Sequence, residues 1–154
     1  MPRPRPSLAL FGLAGGALLL TLAAAPPPPA IRFREAAGSR GLVFRLANHP
    51  TPQKHLPETV AGGLAVFDYD GDGRPDVYFT NGAALPSLEK ESPGDWNRLF
   101  HNDGGLRFTD VTERAGVRGA GYSMGAAAGD YDNDGHVDLF VAGVNRNEIG
   151  RAHV

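Results

Sequence analysis

The chain has 154 residues, of which 42% are hydrophobic and 21% are charged, and its formal net charge is −2. That length allows one ordinary domain with its own core and leaves little room for two. The 21 glycines and 13 prolines favour a structure with many turns over a helical bundle. The mild charge shows no sign of the basic patch of a nucleic-acid-binding protein. The absence of cysteine excludes disulfides, thiolate metal sites and thiol nucleophiles.

Residues 1–25 have the pattern of a secretory signal peptide. Arg3 and Arg5 precede an uncharged apolar run from residue 8 to residue 25 that ends in small residues. We therefore expect the protein to be secreted, periplasmic or at the cell surface. Retention as a membrane anchor is the alternative, because the apolar run is just long enough to span a bilayer. Residues 26–30 are rich in proline, which predicts a stiff spacer before the folded part.

The C-terminal segment EIGRAHV reads like an in-frame translation of a sequencing-library adapter. We expect residues 148–154 to be an adapter-derived artefact and the natural protein to continue beyond Asn147. An ordinary polar tail is the alternative.

Residues 31–147 contain an internal repeat. When the segment from Gly63 to Asp76 is placed over the segment from Gly125 to Asp138, eight of 14 positions are identical without a gap. Each copy has a short apolar run, an acidic loop and a second apolar run, which are the signals of two strands joined by a loop. The predicted strands are residues 64–67 and 77–80 in the first copy, and 126–128 and 139–142 in the second. A repeat of this size indicates supersecondary units that cannot bury their faces alone.

Two further strands are predicted between the copies. Residues 97–112 contain the turn sequence Asn-Asp-Gly-Gly between apolar runs, which is typical of a hairpin. Residues 31–38 echo the second of these runs, and only a turn near residues 113–115 has a helical pattern. About four strands per period are typical of β-propeller blades. The sequence therefore predicts an all-β fold, a partial β-propeller of about two blades.

The acidic loops carry the predicted chemistry. Both follow the pattern D-x-D-x-D-G-x-x-D, which supplies side-chain oxygens at positions 1, 3, 5 and 9 and a backbone carbonyl at position 7. Ca²⁺ prefers six to eight oxygen ligands in a tolerant geometry, so we predict about two calcium ions, one per loop. The predicted ligands of the first loop are the carboxylates of Asp68, Asp70, Asp72 and Asp76 and the carbonyl of Arg74. Those of the second loop are the carboxylates of Asp130, Asp132, Asp134 and Asp138 and the carbonyl of His136.

Three alternatives compete with calcium propeller loops. A solvated acidic turn would leave its carboxylates to repel one another, and two copies in register argue against it. An EF-hand would have flanking helices and a bidentate Glu at position 12, where this chain has Phe79 and Val141 in strand-like surroundings. Magnesium prefers a stricter octahedron and keeps several waters.

The repeat resembles a known family. DYDGDGRPDVYF and GDYDNDGHVDLFV are similar to FG-GAP (VCBS-type) repeats, the calcium-loop blades of integrin-α-type propellers. The segments NRLFHN, FTDVT and GYSMG resemble the bacterial relatives of cartilage acidic protein, the ASPIC/UnbV group. The resemblance implies a secreted seven-bladed propeller with calcium in several blades and a C-terminal ASPIC/UnbV domain. This chain holds about two blades, and the resemblance therefore identifies it as an N-terminal fragment.

The other candidates for chemistry are weak. The five histidines are scattered without metal-ligand spacing, and His101 is predicted to be a strand-surface residue. The serines lack a nucleophile elbow or triad context. We therefore expect an exported calcium-binding module without catalytic activity, whose partner is an extracellular protein or a carbohydrate. Contact with a membrane is expected only if the N-terminal segment is retained. The alternative is the propeller portion of a larger extracellular enzyme whose active site lies elsewhere.

Overall fold

The structure is a computed structural model, and it describes residues 30–60 and 62–151. The predicted signal peptide, most of the proline-rich spacer and residues 152–154 lie outside the described residues. The chain divides into two units, Met1–Phe33 and Arg34–Val154, and every described helix and strand lies in the second. The strands are β1 Leu64–Phe67, β2 Asp76–Phe79, β3 Arg98–Gly104, β4 Arg107–Asp110, β5 Ser123–Gly129, β6 Asp138–Gly143 and β7 Asn147–Arg151.

The strands form two antiparallel sheets. The first sheet has the order β1-β2-β3-β4 and the second has the order β5-β6-β7. In the first sheet Phe67 pairs with Asp76, and in the second Gly129 pairs with Asp138, so each acidic loop joins the ends of two paired strands. The regular secondary structure of the described residues is mostly β-sheet, as predicted. The repeat thus places the two loops at equivalent positions in the two sheets.

The core lies between the two sheets. Burial alternates along β1, where Ala65 and Phe67 are buried while Leu64 and Val66 are exposed. This period of two gives the first sheet one apolar face toward the second sheet. Each large apolar side chain buried there contributes about 1.5–3 kcal/mol to folding. The buried cluster consists of Ala65, Phe67, Tyr69, Tyr78, Leu99, Val111, Leu139 and Val141.

A buried network of amide side chains joins the sheets at the end of β2. The backbone N–H of Asn81 donates to Asn97 Oδ1 at 2.7 Å, and Asn81 Oδ1 accepts from the N–H of Ala47 at 2.7 Å. Asn97 Nδ2 donates to the hydroxyl of Tyr78 at 2.8 Å and to Ser123 Oγ, at the start of β5, at 3.1 Å. Because buried amides are costly unless they are paired, this network fixes how the two sheets meet.

The connection between β2 and β3 is held by Lys90. Its ammonium group donates to the carbonyl oxygens of Asn81, Gly82 and Asp95 at 3.0, 2.9 and 2.7 Å. Burial lowers the pKa of Lys90 to about 8. All three carbonyls belong to the connection itself, so Lys90 ties the part that follows β2 to the part that precedes β3.

Most of the predicted elements are present, with some differences. The first strand has the predicted bounds, the second begins and ends one residue earlier, and the strands around the second loop extend further than predicted. The strand β7 was not predicted, and all of it except Asn147 lies in the segment expected to be adapter-derived. A short helix, α1 Leu56–Thr59, was not predicted; His55 and Glu58 form a capping box at its start. Residues 31–36 form no strand, although the sequence there echoes β4. Among the described residues, no helix is long and apolar enough to cross a membrane.

Candidate metal centre

The first acidic loop curls around the carboxylate of Asp68. Asp68 Oδ1 accepts the backbone N–H groups of Gly71 at 2.8 Å and Asp72 at 3.0 Å, and Oδ2 accepts that of Gly73 at 2.7 Å. Gly71 and Gly73 have φ angles of 77° and 82°. Glycine adopts such left-handed conformations without the steric cost that a Cβ brings. These two glycines therefore allow the tight turn that the loop pattern predicts.

The second loop repeats this geometry. Asp130 accepts the backbone N–H groups of Asp134 at 3.1 Å and Gly135 at 2.9 Å. Asn133 and Gly135 have φ angles of 59° and 88°, at the positions of the two glycines in the first loop. Asn is one of the few residue types other than glycine that visit this region readily. The two loops therefore share one backbone conformation despite their different residues.

The last aspartate of each loop begins a strand and faces back into the loop. Asp76 is completely buried, and its carboxylate accepts the N–H of Tyr69 at 2.8 Å and of Asn102, in β3, at 2.7 Å. Asp138 is also buried and accepts the N–H of Tyr131 at 3.0 Å. These backbone donors hold each carboxylate at the closed end of its loop.

Each loop gathers three carboxylates into one small volume. Ligand oxygens of Asp68, Asp70 and Asp76 lie within 4.8 Å of one another. The same holds for the second loop, where the three residues are Asp130, Asp132 and Asp138. Oxygens that coordinate one calcium ion lie about 2.3–2.6 Å from it, so two of them on opposite sides of the ion are at most about 5 Å apart. The spacing suits one cation per loop and is unfavourable for three anions alone.

Two predicted side-chain ligands, Asp72 and Asp134, are not members of these trios. Asp72 Oδ1 accepts the N–H of Arg74 at 2.8 Å, and Asp134 Oδ1 accepts that of His136 at 2.9 Å. Asp72 also forms an ion pair with the guanidinium of Arg74, whose Nε donates to the carbonyl of Asn102 at 2.7 Å. The fifth-position carboxylates thus bond to the backbone of their own turn, and the carbonyl ligands of Arg74 and His136 stay predictions.

His101 is a neighbour of the first loop that the sequence analysis missed. The expectation of a strand-surface histidine is wrong, because only 13% of its side chain is exposed. Its Nδ1 lies 3.2 Å from Asp76 Oδ1 and 3.5 Å from Asp70 Oδ2. Its ring meets Tyr69 edge-on, with 5.9 Å between the centroids. Asp70, Asp72 and His101 form a further group whose ligand atoms lie within 4.8 Å of one another.

The pairing of β2 with β3 explains this position. Val77 pairs with Phe100, so His101 lies opposite Asp76, the last residue of the first loop. The hairpin sequence of residues 97–112 signalled β3, but nothing in the local sequence gave its register with β2. Knowledge of that register would have predicted that His101 and the backbone N–H of Asn102 both lie beside Asp76.

A comparison with models of known protein families gives a match over the repeat. Residues 68–141 match the family model of the FG-GAP-like repeat. The matched segment runs from the first aspartate of the first loop into β6 and so includes both loops. The match supports a repeat protein of the FG-GAP/VCBS type and a β-propeller-type module. No curated protein matches the chain.

Proposed function

We propose that the chain is a calcium-binding FG-GAP repeat module, with one ion in each acidic loop. The observation that carries the proposal is the pair of carboxylate trios, which recur at equivalent positions of the repeat in the same backbone geometry. A single acidic cluster would be a common surface feature. Two copies with the same Asp-centred turn and the same buried ninth position favour a function that both loops serve.

The donor chemistry favours calcium. The trio of the second loop offers carboxylate oxygens only, and hard cations such as Ca²⁺ prefer oxygen ligands. Softer transition metals are better served by imidazole and thiolate groups, and the chain has no cysteine. In the first loop, His101 stands beside the trio as an additional donor, while the loop itself still supplies three carboxylates.

The proposed role of the ions is structural. Each loop connects the ends of two paired strands, β1 with β2 and β5 with β6, so a bound ion would hold a strand pair closed. It would also neutralise carboxylates that repel one another across a few ångströms. With an affinity in the extracellular range of about 10⁻⁴–10⁻³ M, each ion would add roughly 0.5–1.5 kcal/mol at millimolar calcium.

The biological setting is proposed from the sequence. The apolar segment at residues 8–25 supports an exported protein that meets millimolar calcium outside the cytoplasm. The motifs around the loops support a place among the ASPIC/UnbV relatives, with the loops in blades of a propeller. The proposed activity is adhesion-type binding of an extracellular protein or carbohydrate, without catalysis by this chain.

The test compares one variant in each loop with a variant outside them. Asp70→Ala and Asp132→Ala each remove a trio carboxylate that is exposed, so neither should unfold the chain. We expect calcium to raise the melting temperature of the parent, and each variant to lose about half of that increase. Glu113→Ala, at an exposed position in the turn after β4, should keep all of it. Equal melting of the parent protein in calcium and in chelator would refute the proposal.

A further inference from the structure

Asn102, in β3, bonds to three consecutive residues at the end of the first acidic loop. Its backbone N–H donates to Asp76 at 2.7 Å, and its carbonyl oxygen accepts from Arg74 Nε at 2.7 Å. Its side-chain Nδ2 donates to the carbonyl of Pro75 at 3.1 Å. Asn102 is only 4% exposed, so water competes little for these bonds. One residue of a neighbouring strand therefore holds the last third of the loop.

The side chain of Asn102 also bonds to the hairpin that joins β3 to β4. Its Oδ1 accepts the backbone N–H of Gly104 at 3.0 Å. Gly104 has a φ angle of 100° and lies where the pairing of β3 with β4 changes register. The amide thus uses its nitrogen for the loop and its oxygen for the hairpin. Because the amide group is planar, a shift of either partner weakens a buried hydrogen bond.

The contact reaches the carboxylate trio through Asp76. Asp76 is completely buried and is one of the three members of the trio. The other two, Asp68 and Asp70, precede the turn of the loop, whereas Asp76 begins β2, which pairs with β3. The position of Asp76 relative to the other two carboxylates therefore depends on how β3 holds the end of the loop.

We infer that Asn102 is a positioning residue of the first metal site and couples this site to the β3–β4 hairpin. The inference rests on the proposed calcium function. The side chain of Asn102 ties Pro75 to the hairpin and so keeps its own backbone N–H aligned with Asp76. Loss of a group that orients a metal ligand typically weakens metal binding about 10- to 100-fold.

The coupling acts in both directions. If the contacts of Asn102 raise the affinity of the first loop for calcium, bound calcium strengthens those contacts by the same factor. Calcium in the first loop should then stabilise the hairpin. A purely structural Asn102 would behave differently, because it would contribute equally to stability with and without calcium.

The first test measures the affinity of one loop alone. In the full chain with Asp130→Ala, which disables the second loop, a calorimetric titration with calcium chloride reports on the first loop. We expect Asn102→Ala in this background to raise the dissociation constant about tenfold, the lower end of the usual range, because the backbone bonds of residue 102 remain. The control is Thr109→Val, which removes the 2.7 Å bond from Thr109 Oγ1 to Asp103 Oδ2 in the same hairpin. It does not touch the loop and should leave the dissociation constant unchanged.

The outcomes separate this inference from the proposed function. An unchanged dissociation constant in Asn102→Ala, with a β-sheet spectrum, would overturn the inference and leave the calcium site intact. Equal weakening by Thr109→Val would also overturn it, since any loosening of the hairpin would then suffice. No calcium binding by the Asp130→Ala protein would refute the proposed function of the first loop, and the inference with it.

The second test leaves Asn102 in place and does not depend on the folding of its variant. Amide hydrogen exchange of residues 102–107 is followed by mass spectrometry in calcium and in chelator. We expect calcium to slow this exchange about tenfold in Asp130→Ala, which keeps the first site, and to leave it unchanged in Asp68→Ala, which keeps the second. Equal protection in both variants, or none in either, would overturn the inference.

Discussion

Asp76 and Asp138 occupy the same position of the two loops and have unequal surroundings. Asp76 accepts backbone N–H groups from its own loop and from β3, whereas Asp138 accepts one from its own loop. The donors of Asp76, on Tyr69 and Asn102, are themselves buried. A buried N–H that loses its acceptor costs about 1–3 kcal/mol. The two aspartates should therefore differ in what they contribute to stability without any ion.

We predict that Asp76→Ala lowers the free energy of unfolding in chelator by about 2–4 kcal/mol, and that Asp138→Ala lowers it by about 1–2 kcal/mol. Each variant also removes the repulsion of one carboxylate in one trio. This gain in stability is similar for the two variants, so it largely cancels when their free energies of unfolding are compared. Urea unfolding of both proteins measures the difference. A cost for Asp138→Ala equal to or above that for Asp76→Ala would show that the backbone donors do not decide the stability.

Asp95 makes the free energy of unfolding depend on pH in the acid range. Burial raises the pKa of its carboxyl, but the hydrogen bonds from His49 and Ser92 outweigh that effect, and the pKa is lowered. Its folded-state pKa lies below the unfolded value of about 3.9. The stabilisation is therefore complete above the unfolded pKa and is lost as the pH falls through the folded pKa.

We predict that Asp95→Asn flattens the acid limb of the stability curve. As the pH falls below about 5, the variant should lose less unfolding free energy than the parent protein. The exposed Glu113→Gln is the control and should follow the parent. Parallel curves for Asp95→Asn and the parent would mean that the hydrogen bonds from His49 and Ser92 do not stabilise the charged carboxylate of Asp95.

At the scale of elements, the backbones of the two sheets approach closely near the start of β1 and of β5. A Cβ on Gly63 would lie 2.5 Å from the Cα of Gly125, which is backbone and cannot move aside. A Cβ on Gly125 would meet only the Cβ of Ala142 at 3.8 Å, an ordinary contact. The two glycines are equivalent in the repeat and have opposite steric surroundings.

We therefore predict that Gly63→Ala lowers the free energy of unfolding by about 1–3 kcal/mol through overpacking. Gly125→Ala should be neutral or slightly stabilising, because alanine has less backbone entropy to lose in a strand. Thermal unfolding of the two variants beside the parent protein is the measurement. If both are tolerated equally, the sheets do not meet as described.

The elements that could be predicted are those with a local cause. The strand β1 and the turn conformation of both loops follow from apolar runs, aspartates and glycines that are close together in the sequence. The position of His101 depends on the register between β2 and β3, which pairs residues that are far apart in the sequence. The helix α1 is one turn long and depends on the cap that Glu58 makes with His55 and Thr51, so it has no hydrophobic period to detect.

At the scale of the whole molecule, the repeat explains both the core and the two loops. One copy alone would leave the apolar face of Ala65, Phe67 and Tyr78 open, and Leu139 and Val141 of the second sheet cover it. The repeat also places the acidic loop of each copy between the ends of two paired strands, β1 and β2 in the first copy and β5 and β6 in the second. The spacing alone could not predict that Asp72 and Asp134 accept N–H groups of their own loops and are not members of the trios.

The central claim is that each loop binds one calcium ion. The most direct measurement is a calorimetric titration of the chain with calcium chloride, with circular dichroism of the same sample before and after chelation. The account predicts about two ions per chain, and one in Asp68→Ala or in Asp130→Ala. A β-sheet spectrum with no calcium bound would contradict the account and leave the loops as solvated acidic turns.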